Sequence, residues 1–534
     1  MSPNAKLTIL RTLLIVMAGC WVFGPALRGD WLMDDDLYLT QNALMNDPAR
    51  LWKIWFAPGS LIEYYPIEAS LQAIEWRLWH TDTAGYHLVN LALHLVGSVL
   101  VWRLLEKFGL RLAWLGGLLF AVHPAVVESV AWISEFKNVL SLPPFLLAMC
   151  VWIDYAERRR KQDYFLSLGL FTIAMLCKIS MVLFPLVLLL FAWWKRDRIG
   201  WKDVKEVAPF LVVSVVLGAT TLLVGDWFRH VHHQTEHDLE VGGYASKLAL
   251  SGTAISFYLW NFLWPVGLLP IYPKWTVDPP SPVEFLPWLA MIGAASWFWT
   301  KRKGWGRQAL LGFGFFLINL LPFVGFHAPS YMGISWVMDH FLYLPMVGLV
   351  GLTIAVLEQA ENRLPASKQA VSTGAIAVVI GALAWDSHAY AGRFIGQETL
   401  WTYTLEHNPG AWLAHNNLGN IMLVTGRTAE AIEHYQKALQ IAPDGVEAHN
   451  NLGMALRMEH RPEEAMVQFQ AALKSNPNFA TGHRNLGDTL CELGRTAEAI
   501  DQYRQALIIE PSDDATRKQV ARLEAQEKAD PERK

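Results

Sequence analysis

The chain has 534 residues, of which 53% are hydrophobic and only 17% are charged. Because soluble globular proteins carry about 25% charged residues, this composition excludes a disordered chain, a coiled coil and a disulfide scaffold, and it argues against an ordinary soluble enzyme. With a net charge of −4, the chain lacks the excess of basic residues that is typical of nucleic-acid-binding proteins, so no nucleic-acid partner is expected.

The N-terminal region, 1–390, consists mostly of apolar runs long enough to predict membrane-spanning helices of about 20 residues. The first run is longer than the hydrophobic part of a usual signal peptide, and bulky Trp21, Phe23 and Leu27 leave no small-residue cleavage site. We therefore predict a retained anchor and an all-α, polytopic bundle of about 11 spans. The runs are 8–28, 86–105, 112–127, 139–155, 163–178, 180–194, 207–225, 285–300, 307–326, 340–357 and 369–386.

The basic residues predict the orientation of these spans, since Lys and Arg mark cytoplasmic connections. Placing every basic connection inside puts the N-terminus inside. A further apolar run, 248–265, is interpreted as re-entrant, because a span there would turn the basic loop 301–307 outward. The alternative, a twelfth span, would put the C-terminal region in the cytoplasm. The predicted outer connections are 29–85, 123–138, 177–180, 226–284 and 327–339.

The C-terminal region, 398–534, is polar and repeats its Asn, Gly, Ala, aromatic and Pro positions every 34 residues. This tetratricopeptide pattern predicts a solenoid with three full repeats over 411–512, a preceding partial repeat and a cap helix. The solenoid would bind a protein or peptide, or alternatively promote oligomerisation. Recurring asparagines would hold an extended peptide or share a capping role. These are Asn416, Asn417, Asn450, Asn451 and Asn485.

Three adjacent carboxylates, Asp34, Asp35 and Asp36, follow the first span in the first outer connection. Mutual repulsion and partial burial raise the pKa values of such groups, which suits a general base or a cation site. A solvated acidic helix end is the alternative interpretation. Further polar residues of the outer connections are expected on the same side of the membrane, where ionisable groups near spans are usually functional. They are Tyr64, Tyr65, His123, Glu128, Glu135, Lys137, Lys178, Asp339 and His340.

These residues predict a base beside an anion-binding site on one face of the membrane domain. The stretch 226–238 contains enough histidines for a metal site. However, it lacks a helical frame or a fixed second set of partners, so we interpret it as a lid and not as a metal site.

Several short motifs occur in a fixed order along the chain: Asp34-Asp35, Tyr64-Tyr65-Pro66, Gly85-Tyr86-His87-Leu88-Val89-Asn90, His123-Pro124 with Glu128-Ser129-Val130-Ala131-Trp132, Asn138-Val139-Leu140, Cys177-Lys178 and the terminal repeats. Together they resemble one family, the TMTC-type transmembrane and tetratricopeptide repeat O-mannosyltransferases of the GT-C class, and in particular their bacterial relatives. The resemblance covers nearly the whole chain and depends on the order of the motifs.

The resemblance implies a GT-C-like fold, an active site on the extracytoplasmic side and a polyprenyl- or dolichyl-phosphate mannose donor. It implies that the catalytic carboxylate of the first outer connection is Asp35 or Asp34, acting as a base, and that the repeats face the same compartment.

The chain departs from the family pattern at positions that bear on phosphate recognition. Tyr65 is followed directly by Pro66 where relatives often have an intervening Arg, Phe136 stands where Arg is frequent, and Ile179 replaces a common Pro. Lys137 and Lys178 are then the best remaining phosphate partners, acting as point charges.

We therefore expect a membrane glycosyltransferase that moves mannose or another hexose from a polyprenyl-phosphate donor to a Ser or Thr hydroxyl of an exported protein. A single inverting displacement requires one base, and no cofactor or metal is expected to be required. The alternatives are a non-catalytic membrane-anchored repeat scaffold for envelope assembly, and a GT-C enzyme acting on a glycan or lipid. The expected location is a bacterial inner membrane with periplasmic repeats, or the endoplasmic reticulum membrane with lumenal repeats.

Overall fold

The computed structural model describes residues 3–57, 59–231, 241–325 and 330–529, and within these ranges it contains helices and no strand. The chain divides into two compact units, with the division between Gly396 and Gln397. An all-α fold with terminal repeats is thereby confirmed.

The first unit contains fifteen α-helices within the described ranges. They are α1 (Pro3–Val22), α2 (Arg50–Phe56), α3 (Pro66–Trp79), α4 (Thr83–Lys107), α5 (Ala113–Val122), α6 (Val127–Ala131), α7 (Phe136–Arg158), α8 (Lys161–Cys177), α9 (Phe184–Arg196), α10 (Trp201–Val231), α11 (Tyr244–Leu263), α12 (Leu286–Thr300), α13 (Gly306–Leu320), α14 (Met346–Arg363) and α15 (Ala366–Ala391).

Each of the eleven predicted runs falls on one of these helices. In the part of the chain that the structure describes, seven helical segments are long and apolar enough to cross a membrane, or eight if the bent pair α5–α6 is one span. Helices α8 and α12 have only 17 and 15 residues, less than the roughly 20 residues that cross the hydrocarbon core. The predicted orientation and the re-entrant run, which corresponds to α11, stay predictions.

The connection between α5 and α7 turns back into the protein and is buried throughout. Pro124 cannot continue α5 because it lacks an N–H, and the backbone N–H of Ala125 donates to His123 Nδ1 at 3.2 Å. The two helical segments on either side of His123 are bent by 60°. This bend places α6 and the start of α7 inside the bundle, where Glu128 and Glu135 are buried.

The second unit is a series of antiparallel helix pairs. A Cβ on Gly419, Gly453 or Gly487 would lie 2.6, 2.7 or 2.8 Å from an aromatic ring carbon of the next helix, which explains why glycine and an aromatic residue recur together. The helices are α16 (Gln397–His407), α17 (Trp412–Val424), α18 (Thr428–Ile441), α19 (Val446–Met458), α20 (Pro462–Ser475), α21 (Ala480–Glu492), α22 (Thr496–Ile509) and α23 (Asp514–Ala529).

Candidate functional site

Asp35 is fully buried and both of its carboxylate oxygens are occupied. Oδ1 accepts the backbone N–H of Ser134 at 2.8 Å and also the Ser134 hydroxyl, while Oδ2 accepts the backbone N–H of Leu32 at 2.8 Å. Burial raises the pKa of Asp35 to about 7, although the hydrogen bonds from Ser134 and Leu32 act to lower it. Asp35 therefore links the first predicted outer connection, 29–85, to the second, 123–138, through its hydrogen bonds with Ser134.

Asp34, unlike Asp35, has an exposed side chain, although the surrounding protein partly desolvates its carboxylate. The preceding residue, Met33, has a positive φ of 45°, a rare conformation for a non-glycine residue. Desolvation by the surrounding protein raises the pKa of Asp34, with Glu135 adding to the rise and Lys137 opposing it. An accessible carboxylate of raised pKa is suited to accept a proton.

Two lysines, of which Lys137 is within electrostatic range of Asp34, are held by carboxylate and amide groups. Lys178 donates to Asn138 Oδ1, and its Nζ lies 3.8 Å from Glu135 Oε2. Asn138 in turn donates to Glu135. Lys137 Nζ donates to Glu63 Oε2 at 3.2 Å and lies 3.9 Å from Glu135 Oε1. The arrangement holds two ammonium groups at fixed positions, both within 4 Å of Glu135 and one of them also paired with Glu63.

His340 joins this cluster from the other end of the first unit. Its backbone N–H and its Nδ1 lie 3.1 and 3.0 Å from the two carboxylate oxygens of Glu128. Glu128 thus fixes the ring so that Nε2 faces Glu135, whose Oε1 is 3.9 Å away. The segment between α5 and α7, which carries Glu128 and Glu135, therefore contacts the segment before α14, which carries His340.

Asp339 adjoins the cluster but is enclosed by its own partners. Its Oδ1 accepts the Tyr272 hydroxyl at 2.9 Å and the Asn261 amide at 3.2 Å. Burial, with the nearby charge of Glu128, holds the pKa of Asp339 well above its usual value. A protonated Asp339 is the form that this environment favours.

The structure brings together six of the predicted site residues and separates others from them. The cluster comprises Asp34, Glu128, Glu135, Lys137, Lys178 and His340. Tyr65 joins its edge through Glu63 Oε1, 3.2 Å from its hydroxyl. Tyr64 instead donates to the backbone of Trp55. His123 stacks on Phe262 and bonds its backbone oxygen.

Sequence reasoning missed a polar face on α3, formed by Glu68, Gln72 and Glu75. All three are buried, and burial raises the pKa values of Glu68 and Glu75 to about 8. Their spacing of four and three residues places them on one side of the helix, and that periodic polar stripe was the available signal. Glu68 is also within electrostatic range of Lys137 and Lys178.

The histidine-rich stretch predicted as a lid falls largely outside the described residues, which stop at Val231 and resume at Val241. Within the described ranges, no group of three or more His, Cys, Asp or Glu side chains could hold a metal ion.

Comparisons with known proteins match both parts of the chain. Residues 66–224 match the family described as dolichyl-phosphate-mannose-protein mannosyltransferase, and residues 411–478 and 450–514 match tetratricopeptide repeat families. The crystal structure of MamA covers 25% of this chain and 78% of its own, at 22% identity and a TM-score of 0.24.

Three relatives match over most of this chain. Protein O-mannosyl-transferase Tmtc3 of Drosophila melanogaster is 23% identical over 72% of this chain and 49% of its own. Protein O-mannosyl-transferase F38B6.6 of Caenorhabditis elegans is 22% identical over 81% of this chain and 63% of its own. Human protein O-mannosyl-transferase TMTC1 is 24% identical over 80% of this chain and 55% of its own. The chain thus spans between about half and two thirds of these relatives. The resemblance to the TMTC type is thus confirmed: the chain is similar to these proteins in having a match to the mannosyltransferase family over 66–224, followed by tetratricopeptide repeats.

Proposed function

We propose that this protein is a membrane glycosyltransferase that moves a hexose, most simply mannose, from a polyprenyl-phosphate donor to a Ser or Thr hydroxyl of an exported protein. The observation that supports it is that an accessible carboxylate, Asp34, lies within electrostatic range of Lys137, while Lys137 and Lys178 both lie within 4 Å of the same carboxylate, Glu135. A base next to a fixed positive charge is what transfer from a lipid phosphate requires.

The reaction is a single displacement at the anomeric carbon. Asp34 accepts the proton of the acceptor hydroxyl as its oxygen bonds to the anomeric carbon. The bond from that carbon to the phosphate oxygen breaks, and the electron pair leaves with the polyprenyl phosphate. Lys137 and Lys178 stabilise the charge on that phosphate. One base and one displacement predict inversion at the anomeric carbon.

The two adjacent aspartates have different roles in this proposal. Asp35 is fully buried, and Ser134 and Leu32 donate to its two carboxylate oxygens. It acts as a positioning residue that fixes the loop carrying Asp34. The proton is therefore accepted by Asp34 and not by its neighbour.

The repeats are proposed to bind the acceptor protein. The recurring asparagines lie within the first helices of the repeats and not at their ends, and they bond from one repeat to the next. Asn451 donates to Asn416 at 3.1 Å and Asn485 donates to Asn450 at 2.8 Å. These bonds hold the first helices of neighbouring repeats in register, and we propose that the surface formed by these helices binds an extended peptide. We place the repeats in the same extracytoplasmic compartment as Asp34, the periplasm in a bacterial host.

The test is transfer by the purified full-length protein from a mannosyl polyprenyl phosphate to a Ser- and Thr-containing protein. Asp34→Asn should lower the rate about 10²- to 10⁴-fold, the usual contribution of a general base. Asp36→Asn is the matched control, because among the described contacts the Asp36 carboxylate accepts only the hydroxyl of Thr40, four residues further along the chain. Equal rates for Asp34→Asn and Asp36→Asn would refute the role of Asp34.

The non-catalytic scaffold is disfavoured by the cluster itself, since buried charges near membrane spans are costly unless they serve a site. Removal of residues 398–534 separates the remaining alternatives. An enzyme that modifies a glycan or lipid would keep its transfer, whereas a protein-directed enzyme would lose transfer to folded acceptors and keep donor binding. A scaffold would show no transfer with either form of the chain.

A further inference from the structure

Glu68 lies in the first turn of α3, and its buried carboxyl group has no hydrogen-bond partner among the described residues. The residue is only 5% exposed. Asp35, Glu128, Glu135 and Asp339, which are also buried, each accept at least one hydrogen bond. Because a buried polar group costs free energy when it is left unpaired, Glu68 is suited to bond a group that the free protein lacks.

Glu68 shares its charged surroundings with Asp34, the proposed base. Both carboxyl groups are within electrostatic range of Lys137 and of Glu63, so they approach the same ammonium group from two segments, the loop after α1 and helix α3. Glu68 is also within electrostatic range of Lys178. It therefore lies near the proposed base and near both proposed phosphate partners.

The hydroxyl of Tyr38 is a second polar group at this place to which no described residue hydrogen-bonds. Tyr38 is half-buried, and it is within electrostatic range of both Asp34 and Glu68. The centre of its ring lies 5.3 Å from Lys137 Nζ. Because a phenolic hydroxyl both donates and accepts hydrogen bonds, Tyr38 and Glu68 together offer unused hydrogen-bonding capacity beside Lys137.

We propose that Glu68 accepts hydrogen bonds from hydroxyl groups of the transferred hexose and thereby determines which sugar the protein accepts. The proposal rests on the proposed function, because it places the sugar phosphate at Lys137 and Lys178. The anomeric carbon is bonded to that phosphate and is attacked by the hydroxyl that Asp34 deprotonates. The hexose ring therefore lies between the lysines and Asp34, where Glu68 and Tyr38 have their unused capacity.

The chemistry of Glu68 favours the sugar over the other parts of the two substrates. A carboxyl group accepts the hydrogen bond of a hydroxyl whether it is ionised or protonated. The lipid phosphate is an anion, which an ionised carboxylate repels, and the polyprenyl chain has no polar group. The acceptor hydroxyl gives its proton to Asp34. The hexose, by contrast, keeps several free hydroxyl groups as donors.

Glu75 provides a matched control on the same helix. It lies seven residues after Glu68, on the same side of α3, and it is buried to a similar degree. Its Oε1 is enclosed and has no partner among the described residues. The charged neighbour that affects the pKa of Glu75 is Glu68, and neither lysine does so. Replacing Glu75 by methionine therefore makes the same chemical change away from the proposed sugar.

The experiment measures binding of lipid phosphates to the full-length protein in nanodiscs. The ligands are a polyprenyl phosphate, its mannosyl form and the mannosyl forms that lack the 2-, 3-, 4- or 6-hydroxyl. For wild type, a donor that lacks a hydroxyl bonded by Glu68 should bind about 10- to 100-fold more weakly than the mannosyl donor, as expected for one hydrogen bond to a charged group. A site that bonds a substrate hydroxyl discriminates against the analogue without it.

Glu68→Met should weaken binding of the mannosyl donor by the same factor, and it should bind the corresponding deoxy donor as wild type does. Binding of the polyprenyl phosphate without sugar should not change. Glu68→Gln keeps a carbonyl oxygen as acceptor and should retain most of the preference for the mannosyl donor. Glu75→Met should bind every ligand as wild type does.

Thermal unfolding in detergent separates sugar binding from a structural role. The Glu68 carboxyl group is unpaired in the free protein, so Glu68→Met should not lower the melting temperature. A residue that acts only on the structure would lower it. A lower melting temperature together with equal weakening of all the mannosyl donors would therefore overturn the proposal.

Other results would also contradict the role of Glu68. They are a loss of binding for the polyprenyl phosphate without sugar, the same loss in Glu75→Met, or wild-type protein that does not distinguish the mannosyl donor from any deoxy donor or from the bare carrier. None of these measurements requires sugar transfer. If no transfer to a protein acceptor occurred while the hydroxyl-specific loss in Glu68→Met persisted, the proposed function would fail and Glu68 would remain a sugar-binding residue. If Glu68→Met bound and transferred the sugar as wild type does, this inference would fail and the function would stand.

Discussion

Ser134 donates twice to one oxygen of Asp35, through its backbone N–H at 2.8 Å and through its hydroxyl. The two residues are 99 positions apart, so this contact fixes the loop after α1 against the segment before α7. Asp34 precedes Asp35 directly, and Lys137 lies three residues after Ser134. The relative position of the proposed base and the proposed phosphate partner therefore depends on a structural pair that need not touch the substrate.

Ser134→Ala removes one charge-assisted hydrogen bond and leaves Asp35 buried. The expected cost is about 1.5–3 kcal/mol of unfolding free energy, measured by thermal unfolding in detergent. Ser129→Ala is the matched control, because Ser129 is also fully buried and its hydroxyl has no partner among the described residues. Equal melting temperatures for the two variants would show that the Asp35–Ser134 contact contributes nothing to stability.

The raised pKa of Asp35 predicts that the free energy of unfolding depends on pH. Burial raises its pKa from 3.8 to about 7, so the folded protein binds a proton there that the unfolded chain has already released. The contribution of Asp35 is therefore fully present below about pH 4 and is lost as the pH rises through about 7. The difference in unfolding free energy between wild type and Asp35→Asn should change between these pH values and become constant above them. A constant difference from pH 4 to 8 would contradict the raised pKa.

Lys178→Met tests the proposed phosphate partner. Loss of the ammonium should lower kcat/KM for the lipid-linked sugar about 10²- to 10³-fold, as removal of an electrostatic stabiliser of a leaving group commonly does. Binding of the uncharged polyprenol should not change. Lys195→Met is the control, because Lys195 forms a half-exposed ion pair with Glu157 at 3.8 Å, and such pairs contribute little. Similar rates for the two variants would exclude Lys178 from phosphate binding.

Periodicity explains what the sequence could predict. The apolar runs and the 34-residue repeat are local patterns, and helices form wherever they occur because helical hydrogen bonds are local. The choice between Asp34 and Asp35 is different. It depends on the positive φ of Met33 and on a partner, Ser134, that no local pattern connects to it.

Long-range contacts also explain the predicted residues that lie outside the cluster. His123 is placed by the break at Pro124 and contacts Phe262 on α11, which only the tertiary fold could reveal. Glu68 and Glu75 were missed because a polar stripe on a short helix in an outer loop normally faces water. Here that stripe is buried, since α3 packs against α8 and α4.

The pair Glu128–His340 provides the last prediction. Each carboxylate oxygen of Glu128 accepts one hydrogen bond from His340, and the two residues belong to segments 212 positions apart. Glu128→Gln and His340→Gln should each lower both stability and transfer, and the double variant should lose less than the sum of the two. A coupling of about 1–3 kcal/mol is expected for such a buried, directly bonded pair, measured by a double-mutant cycle on unfolding. The surface pair Arg461–Glu464, 2.6 Å apart and half exposed, is the control and should couple by no more than about 0.5 kcal/mol. If the two cycles gave the same coupling, Glu128 would not be what orients the His340 ring toward Glu135.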